Sequence, residues 1–212
     1  MIELFGADYS VYVRSARLAM EEKGVPYILI PVDVFATGGP PEEHFKRQPF
    51  GKIPALKHDG FSLYETAAIL RYVDEAFDGP LLQPKDPKSR ARMTQILSIL
   101  DTYAYRTLVW DIFVERVAKT REGAEADEVK IASALGPART IICVLEDLTE
   151  QGAFLLGEQL TLADCHAAPM LNLFQKTPEG AELMESSPKL LNWLQAFKVR
   201  KSFQTTEPNQ KN

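Results

Sequence analysis

The sequence predicts an α/β domain followed by an all-α domain. In residues 1–77, short β-rich runs alternate with segments of helical apolar periodicity. Residues 78–87 then hold three prolines and one glycine, a composition that neither a helix nor a central strand accepts. Residues 88–212 show helical periodicity and no convincing strand pattern. We therefore expect domains at 1–77 and 88–212, joined by a proline-rich linker at 78–87.

The first domain starts with a strand-helix-strand unit and ends with a strand-strand-helix unit. Its predicted elements are strand 2–5, helix 10–23 closed by Gly24, strand 27–34, short helix 42–46, strands 55–57 and 62–64, and a helix with Ala68, Ile69, Tyr72, Val73 and Ala76 on one face. Asp59-Gly60, between the last two strands, is a strong hairpin signal. This order of elements is typical of a thioredoxin-like fold.

The second domain is predicted from three apolar-periodic segments and a last helix. The apolar positions are Met93, Ile96, Leu97 and Leu100 in the first segment, Ala132, Leu135, Ala138, Ile142 and Leu145 in the second, and Leu162, Ala163, Ala167, Met170, Leu171 and Phe174 in the third. Thr161 and Asp164 have the spacing of a capping box at the start of the third segment. Pro188 opens the last helix, and residues 205–212 resemble a frayed polar tail.

The composition favours a stable protein that binds neither nucleic acid nor membrane. The chain has 212 residues, 45% hydrophobic content and a net charge of -5, which allow a substantial core and leave no basic patch. No run approaches the ~20 apolar residues that span a bilayer, and the N-terminus lacks a signal-peptide pattern, so we expect a cytoplasmic location. Cys143 and Cys165 are predicted to be small core residues, and no metal-ligand spacing is present.

Two short sequence runs in the first domain contain candidate ligand-binding groups. The run 48–56 (QPFGKIPAL) contains Ile53-Pro54, and an X-Pro bond has access to the cis form, which turns the chain and exposes the backbone groups of the preceding residue. The run 64–69 (YETAAI) places Glu65 and Thr66 where a strand passes into a helix. Helix-start N–H groups with a hydroxyl suit a carboxylate, and Glu65 suits an ammonium, so the pair suits an α-amino-acid group. Each run alone also has a plain structural explanation, as a turn and as a helix start.

In this order and at this distance, the two runs resemble those of the soluble glutathione transferases, and the resemblance covers nearly the whole chain. It implies a thioredoxin-like domain followed by an all-helical domain. It also implies that Ile53, before a cis Pro54, pairs with the cysteinyl backbone of glutathione, and that Glu65 and Thr66 hold its γ-glutamyl group. Glutathione is then a co-substrate, and no covalently bound cofactor is expected.

Ser10 is the candidate for stabilising the glutathione thiolate. A thiol with a pKa near ~8.5 is mostly protonated at neutral pH, so the protein must lower that pKa. Ser10 follows the first strand and stands at the start of the first helix, where its hydroxyl and nearby N–H groups can face one ligand. The stretch 5–14 resembles serine-type transferases, and Pro49-Phe50-Gly51 resembles a phi-like bacterial or plant-type member. The alternative is that Ser10 only caps the helix.

Some related transferases use a tyrosine or a cysteine, in place of a serine, near the start of the first helix. Tyrosine-type transferases place their hydroxyl near the position of Phe5, which cannot donate. Cysteine-type relatives need a cysteine at the turn, and the first domain contains none, which argues against thiol-disulfide exchange by a thiol of the protein. Tyr9 is expected to be a surface or packing residue.

The remaining site residues are assigned by the resemblance and by aromatic character. Lys52 is a candidate partner of the glycyl carboxylate, since its charge is suitable. An apolar wall for the electrophile would use aromatic side chains, although an aromatic stripe at helical spacing belongs more often to a core. The candidates for this wall are Tyr12, Phe35, Tyr105, Trp110 and Phe113.

The sequence therefore predicts a cytosolic, homodimeric glutathione transferase that conjugates glutathione to small hydrophobic electrophiles and serves detoxification. Two alternatives stay open at this point. One is a non-catalytic member of the same fold that binds glutathione, hydrophobic ligands or proteins. The other is a glutathione-dependent peroxidase, which would act on hydroperoxides but not on aryl halides.

Overall fold

The computed structural model describes residues 1–121 and 123–208, and the chain forms two compact units. The first unit contains Met1–Leu82 together with the described residues from Arg200 onward, and the second contains Gln83–Val199. Residues 200–208 thus belong with the first unit, whereas the sequence analysis placed them in the helical domain. Residues 78–86 form no helix or strand.

The first unit is built on a four-stranded mixed sheet with the order β2-β1-β3-β4. The strands are β1 (Ile2–Gly6), β2 (Tyr27–Pro31), β3 (Ala55–His58) and β4 (Phe61–Tyr64). Strand β1 is parallel to β2 and antiparallel to β3, and β3 is antiparallel to β4. This confirms the thioredoxin-like fold. Strand β2 ends earlier than predicted, at Pro31, because its partner strand β1 ends at Gly6, the residue paired with Pro31.

Three helices accompany this sheet, namely α1 (Val11–Lys23), α2 (Glu42–Phe45) and α3 (Thr66–Ala76). Helix α1 ends at Gly24, whose φ of 71° is left-handed, as predicted for a glycine cap. The face predicted for α3 is wrong at Ala68 and Ala76, which are exposed. The buried face includes Asp74 instead, because this carboxylate is 3.1 Å from the buried Lys23 ammonium.

The C-terminal helix α10 (Lys201–Thr205) packs against α1. The buried Arg14 side chain donates a 2.9 Å hydrogen bond to the carbonyl of Phe203 and lies 3.9 Å from the centre of its ring. Burial lowers the pKa of Arg14 to about 10. Thr206 is completely buried, so the predicted frayed tail is wrong there, and residues 209–212 lie outside the described residues. These contacts explain why the segment belongs with the first unit.

The second unit is helical. Its helices are α4 (Pro87–Ile99), a π-type helix (Leu100–Ala118), α5 (Lys119–Arg121), α6 (Glu128–Leu148), α7 (Leu162–Phe174), α8 (Pro178–Glu185) and α9 (Pro188–Lys198). The first and third predicted apolar segments are buried as expected. In the second segment Ala132 and Leu135 are exposed, because the buried repeat of α6 starts at Ile131 and continues through Ala134. The prediction for Cys143 is also wrong, since this residue is exposed.

The described residues contain neither a membrane-spanning helix nor a cluster of metal-ligating side chains. None of their helices combines the length and apolar content that crossing a bilayer requires. No group of three or more His, Cys, Asp or Glu side chains within them is placed to hold a metal ion.

Asp164 connects three parts of the second unit. Its carboxylate accepts 2.8 Å hydrogen bonds from the Leu155 N–H, the Thr161 N–H and hydroxyl, and the Trp193 indole N–H. The bond back to Thr161 N–H belongs to the predicted capping box, which is present. Because Asp164 is completely buried, these donors have no access to water as an alternative partner.

We predict that Asp164→Ala lowers the free energy of unfolding by at least about 3 kcal/mol, because several buried donors lose their acceptor at roughly 1–3 kcal/mol each. Thr161→Ala, which removes only one capping side chain, should cost about 1 kcal/mol. Urea denaturation of both variants checks this order. Equal losses in the two variants would contradict the role given to Asp164.

Glu115 is a buried carboxylate in the π-type helix. Its two oxygens lie 2.6 Å from the Lys119 ammonium and 2.7 Å from the Lys130 ammonium, and its side chain is 3% exposed. A hydrogen bond from Lys119, which has the larger effect, and another from Lys130 lower the pKa of Glu115 from 4.5 to about 2. A carboxylate whose pKa is lower in the folded state stabilises that state above its unfolded pKa.

We therefore predict that the stabilisation from Glu115 is complete above pH 4.5 and is lost as the pH falls towards 2. Glu115→Gln should be less stable than the parent at pH 7, and its stability should decline less between pH 4.5 and 2. Urea denaturation at a series of pH values measures both slopes. Parallel slopes for the two proteins would show that Glu115 is not the titrating group.

Candidate functional site

Three strand ends meet at one edge of the sheet. Ala55 is paired with Phe5 on one side and with Tyr64 on the other. Because β1 and β4 both run antiparallel to β3, the residues after β1, before β3 and after β4 lie at the same edge. The loop that leads to Ser10 follows β1, the Ile53–Pro54 bond precedes β3, and Glu65 follows β4. The structure thus brings together the main candidates from the first domain.

Ser10 is the N-cap of α1, with φ of -72° and ψ of 125°. Its hydroxyl oxygen accepts a long 3.4 Å hydrogen bond from the Val13 N–H, and the residue is half-buried. Capping of α1 and donation to a ligand are the two predicted uses of this hydroxyl. They are compatible, because the oxygen accepts the capping bond while the O–H proton can point to another acceptor.

The peptide bond between Ile53 and Pro54 is cis. Pro54 is buried, Ile53 is half-buried and Lys52 is exposed. A Cβ at Gly6 would lie 3.5 Å from Ile53, so the end of β1 closely approaches the residue before the cis bond. This bond therefore lies beside the loop that leads to Ser10.

Two buried side chains that the sequence analysis did not select hold the backbone at Lys52. The His44 ring Nε2 lies 2.7 Å from the Lys52 carbonyl oxygen. The Gln48 Oε1 accepts hydrogen bonds from the N–H groups of Phe50, at 2.7 Å, and Lys52, at 3.2 Å. His44 and Gln48 are 1% and 2% exposed. The only signal in the sequence was that His44 lies four residues before Gln48, the first residue of the run 48–56.

Glu65 links β4 to α3 in an uncommon backbone conformation. Its φ is 70° and its ψ is 118°, values that a residue with a Cβ seldom adopts. Its side chain makes no capping hydrogen bond, so the carboxylate is not used to start the helix. Thr66, the first residue of α3, is buried, whereas Glu65 is exposed. The plain helix-start explanation does not account for this carboxylate.

Aromatic residues occur in each unit. In the first unit, the rings of Tyr9 and Phe35 stack with centroids 6.0 Å apart, and the Tyr9 hydroxyl donates to Asp33 at 3.2 Å. Phe35 is 65% exposed and Tyr12 is half-buried. Tyr9 is thus a packing residue at the surface, as predicted.

In the second unit, Tyr105, Trp110 and Phe113 lie on the π-type helix, and all three are half-buried. The rings of Tyr105 and Trp110 are perpendicular, with centroids 6.5 Å apart. Burial raises the pKa of the Tyr105 hydroxyl. These residues are partly accessible and do not form the centre of the helical core.

Both domains of this chain are similar to known proteins. Residues 4–81 match the family model "Glutathione S-transferase, N-terminal domain", and residues 125–196 match "Glutathione S-transferase, C-terminal domain". The protein is 26% identical over 210 residues to glutathione S-transferase F13 of Arabidopsis thaliana, covering 98% of this chain and 95% of the relative. It is 28% identical over 171 residues to the stringent starvation protein A homolog of Haemophilus influenzae, covering 81% and 74%.

Among solved structures, that of glutathione S-transferase III in its apo form superimposes with a TM-score of 0.85 at 26% identity, over 100% of this chain and 99% of that chain. The fold predicted from the sequence, a thioredoxin-like domain followed by a helical domain, is therefore confirmed. The F-type plant relative also fits the phi-like resemblance. Since models of one family match both domains, this chain belongs to the glutathione S-transferase family.

Proposed function

We propose that this protein transfers glutathione, as its thiolate, to small hydrophobic electrophiles, and that Ser10 stabilises the sulfur anion. The supporting observation is the convergence of Ser10, the cis Ile53–Pro54 bond and the Glu65–Thr66 pair at one edge of the sheet. The proposal assigns each of these groups a part of the tripeptide. No group of the protein itself needs to act as the nucleophile, because glutathione brings its own thiol.

The free energy needed for ionisation matches what this site can supply. Lowering a thiol pKa by about two units requires roughly 2.7 kcal/mol. A hydrogen bond from the Ser10 hydroxyl to a sulfur anion contributes about 1.5–3 kcal/mol, and the N-terminus of α1 adds about 0.3–1 kcal/mol. Both groups are at the same place because Ser10 is the N-cap of that helix. Together they account for a thiolate at neutral pH.

The two ends of the γ-glutamyl group would be bound at the junction of β4 and α3. The Glu65 carboxylate is exposed and makes no capping bond, so it can pair with the ammonium. The Thr66 hydroxyl and the first N–H groups of α3 can donate to the α-carboxylate. The uncommon φ of 70° at Glu65 supports this assignment, because strained backbone conformations cluster at ligand-binding and active sites.

The rest of the tripeptide would be bound by the segment before β3. Ile53 pairs with the cysteinyl backbone, and the exposed Lys52 ammonium meets the glycyl carboxylate. For the electrophile we propose apolar contacts with aromatic side chains, for which the candidates are Tyr12 and Phe35 in the first unit and Tyr105, Trp110 and Phe113 in the second. With the tripeptide oriented and the sulfur ionised, attack on an aryl halide, epoxide or enone needs no further catalytic group.

We propose that the protein is cytoplasmic, that it acts as a homodimer and that it serves detoxification. The domain arrangement that we propose for function is a glutathione-binding domain at 1–77 and a helical domain at 88–199 that contributes the electrophile site.

A second candidate function is that of a binding protein without catalytic activity. One observation favours it, namely that a relative matched over 81% of this chain is named as a stringent starvation protein A homolog and not as a transferase. A protein can keep the fold of an enzyme family and lose the catalytic activity of that family. In that case the protein would bind glutathione and show no turnover with any electrophile.

We predict that Ser10→Ala lowers kcat for an aryl halide by roughly 10- to 100-fold, because a hydrogen bond to the thiolate is lost. The pKa of bound glutathione, followed by thiolate absorbance, should rise by one to two units. Ser15→Ala provides a matched control, since Ser15 is buried in the same helix and bonds to the Val11 carbonyl.

The outcomes of this experiment separate the candidate functions. Equal rates for the parent and Ser10→Ala would contradict thiolate stabilisation by Ser10. Glutathione binding without turnover in the parent would favour the binding protein. Turnover with an organic hydroperoxide but not with an aryl halide would identify a peroxidase.

We predict that Glu65→Gln weakens glutathione binding by about tenfold, because a charged hydrogen bond to the ammonium is lost, and leaves kcat at saturating glutathione nearly unchanged. Glu75→Gln, on the same helix and away from the strand junction, is the control. Calorimetry with glutathione and with an analogue that lacks the α-amino group measures the effect. If the variant binds both ligands as the parent does, Glu65 does not hold the ammonium.

A further inference from the structure

His44 is a buried histidine whose hydrogen bonding reaches the proposed glutathione site. It lies on α2 and is 1% exposed, and its Nε2 is 2.7 Å from the carbonyl oxygen of Lys52. A carbonyl oxygen only accepts hydrogen bonds, so Nε2 carries the proton and donates it. The buried His44 side chain thus holds the backbone of Lys52, the residue before Ile53.

The second ring nitrogen shows that packing alone does not explain a histidine here. His44 Nδ1 is buried and has no hydrogen-bond partner among residues 1–121 and 123–208. Burying an unpaired polar atom costs free energy, and an apolar ring of similar size would fill the same space without that cost. What a histidine adds at this position is therefore the hydrogen bond from Nε2.

This hydrogen bond fixes the direction of a neighbouring donor. The cis bond of this segment is the one between Ile53 and Pro54, so the Lys52–Ile53 peptide is trans. In a planar trans peptide the C=O and N–H groups point in opposite directions. Holding the Lys52 carbonyl towards His44 therefore turns the Ile53 N–H away from α2. Gln48 holds the N–H of Lys52 at 3.2 Å, so the backbone is fixed on both sides of that residue.

We propose that His44 is a positioning residue for glutathione and acts through the Lys52–Ile53 peptide. The inference rests on the proposed function, in which the Ile53 backbone pairs with the cysteinyl backbone of the tripeptide. His44 does not touch the ligand itself. It keeps one donor in the orientation that binding needs before glutathione arrives, which reduces the ordering cost of binding.

Two amide variants test this role. In His44→Gln the side-chain nitrogen can occupy about the place of Nε2, whereas in His44→Asn it reaches only about as far as Nδ1. Both variants bury a neutral amide, so they share the polar cost and differ in reach. The measurements are the Kd of glutathione by calorimetry, KM and kcat with 1-chloro-2,4-dinitrobenzene, and Tm without ligand.

We expect the Kd of glutathione for His44→Gln to stay within about threefold of that of the parent. For His44→Asn, the Kd and the KM of glutathione should both be about tenfold higher than in the parent, while kcat at saturating glutathione stays within about threefold of the parent value. Equal Kd values for the two variants would overturn the proposal. A loss of kcat and Tm in both, without a difference in Kd, would show a merely structural role and would also overturn it.

Should His44→Asn not fold, His44→Phe takes its place, because it fills the site and lacks the donor; weaker glutathione binding is expected, and unchanged binding overturns the proposal. If the parent itself binds no glutathione, the proposed function is wrong and this inference falls with it. If the parent binds and the variants do not differ, only the role of His44 is wrong.

Discussion

The pairing of Ala55 with both Phe5 and Tyr64 is the constraint on which the rest of the first unit depends. This register places the start of α1, the cis proline and the start of α3 at one edge of the sheet. A shift of one residue in β3 would turn its side chains to the opposite face and separate these groups. The site is thus assembled by backbone hydrogen bonds between residues that have no chemical role in it.

Buried polar side chains then fix what the sheet brings together. Gln48 and His44 use their side chains on the backbone of Lys52, while Lys23 and Asp74 pair between α1 and α3. In the helical unit, Asp164 performs a similar task for the start of α7. Each of these side chains is itself buried, so each holds one local conformation of its partner and penalises the alternatives.

Much of this could be predicted from the sequence, because hydrophobic periodicity and turn chemistry are local properties. The hairpin at Asp59-Gly60, the cap at Gly24 and the helix that starts after Glu65 follow from neighbours in the chain. What could not be predicted depends on distant partners. Local patterns do not show that Asp74 is buried, that His44 meets Lys52, or that Arg14 binds the carbonyl of Phe203.

The return of residues 200–208 to the first unit has a consequence for biosynthesis. A ribosome releases Arg14 long before it releases Phe203, so for most of translation the guanidinium has neither its carbonyl partner nor the ring that covers it. A charged group without a hydrogen-bond partner resists burial, because burial removes it from water. The first unit therefore reaches its final packing only after the helical segment has been synthesised, although it comes first in the chain.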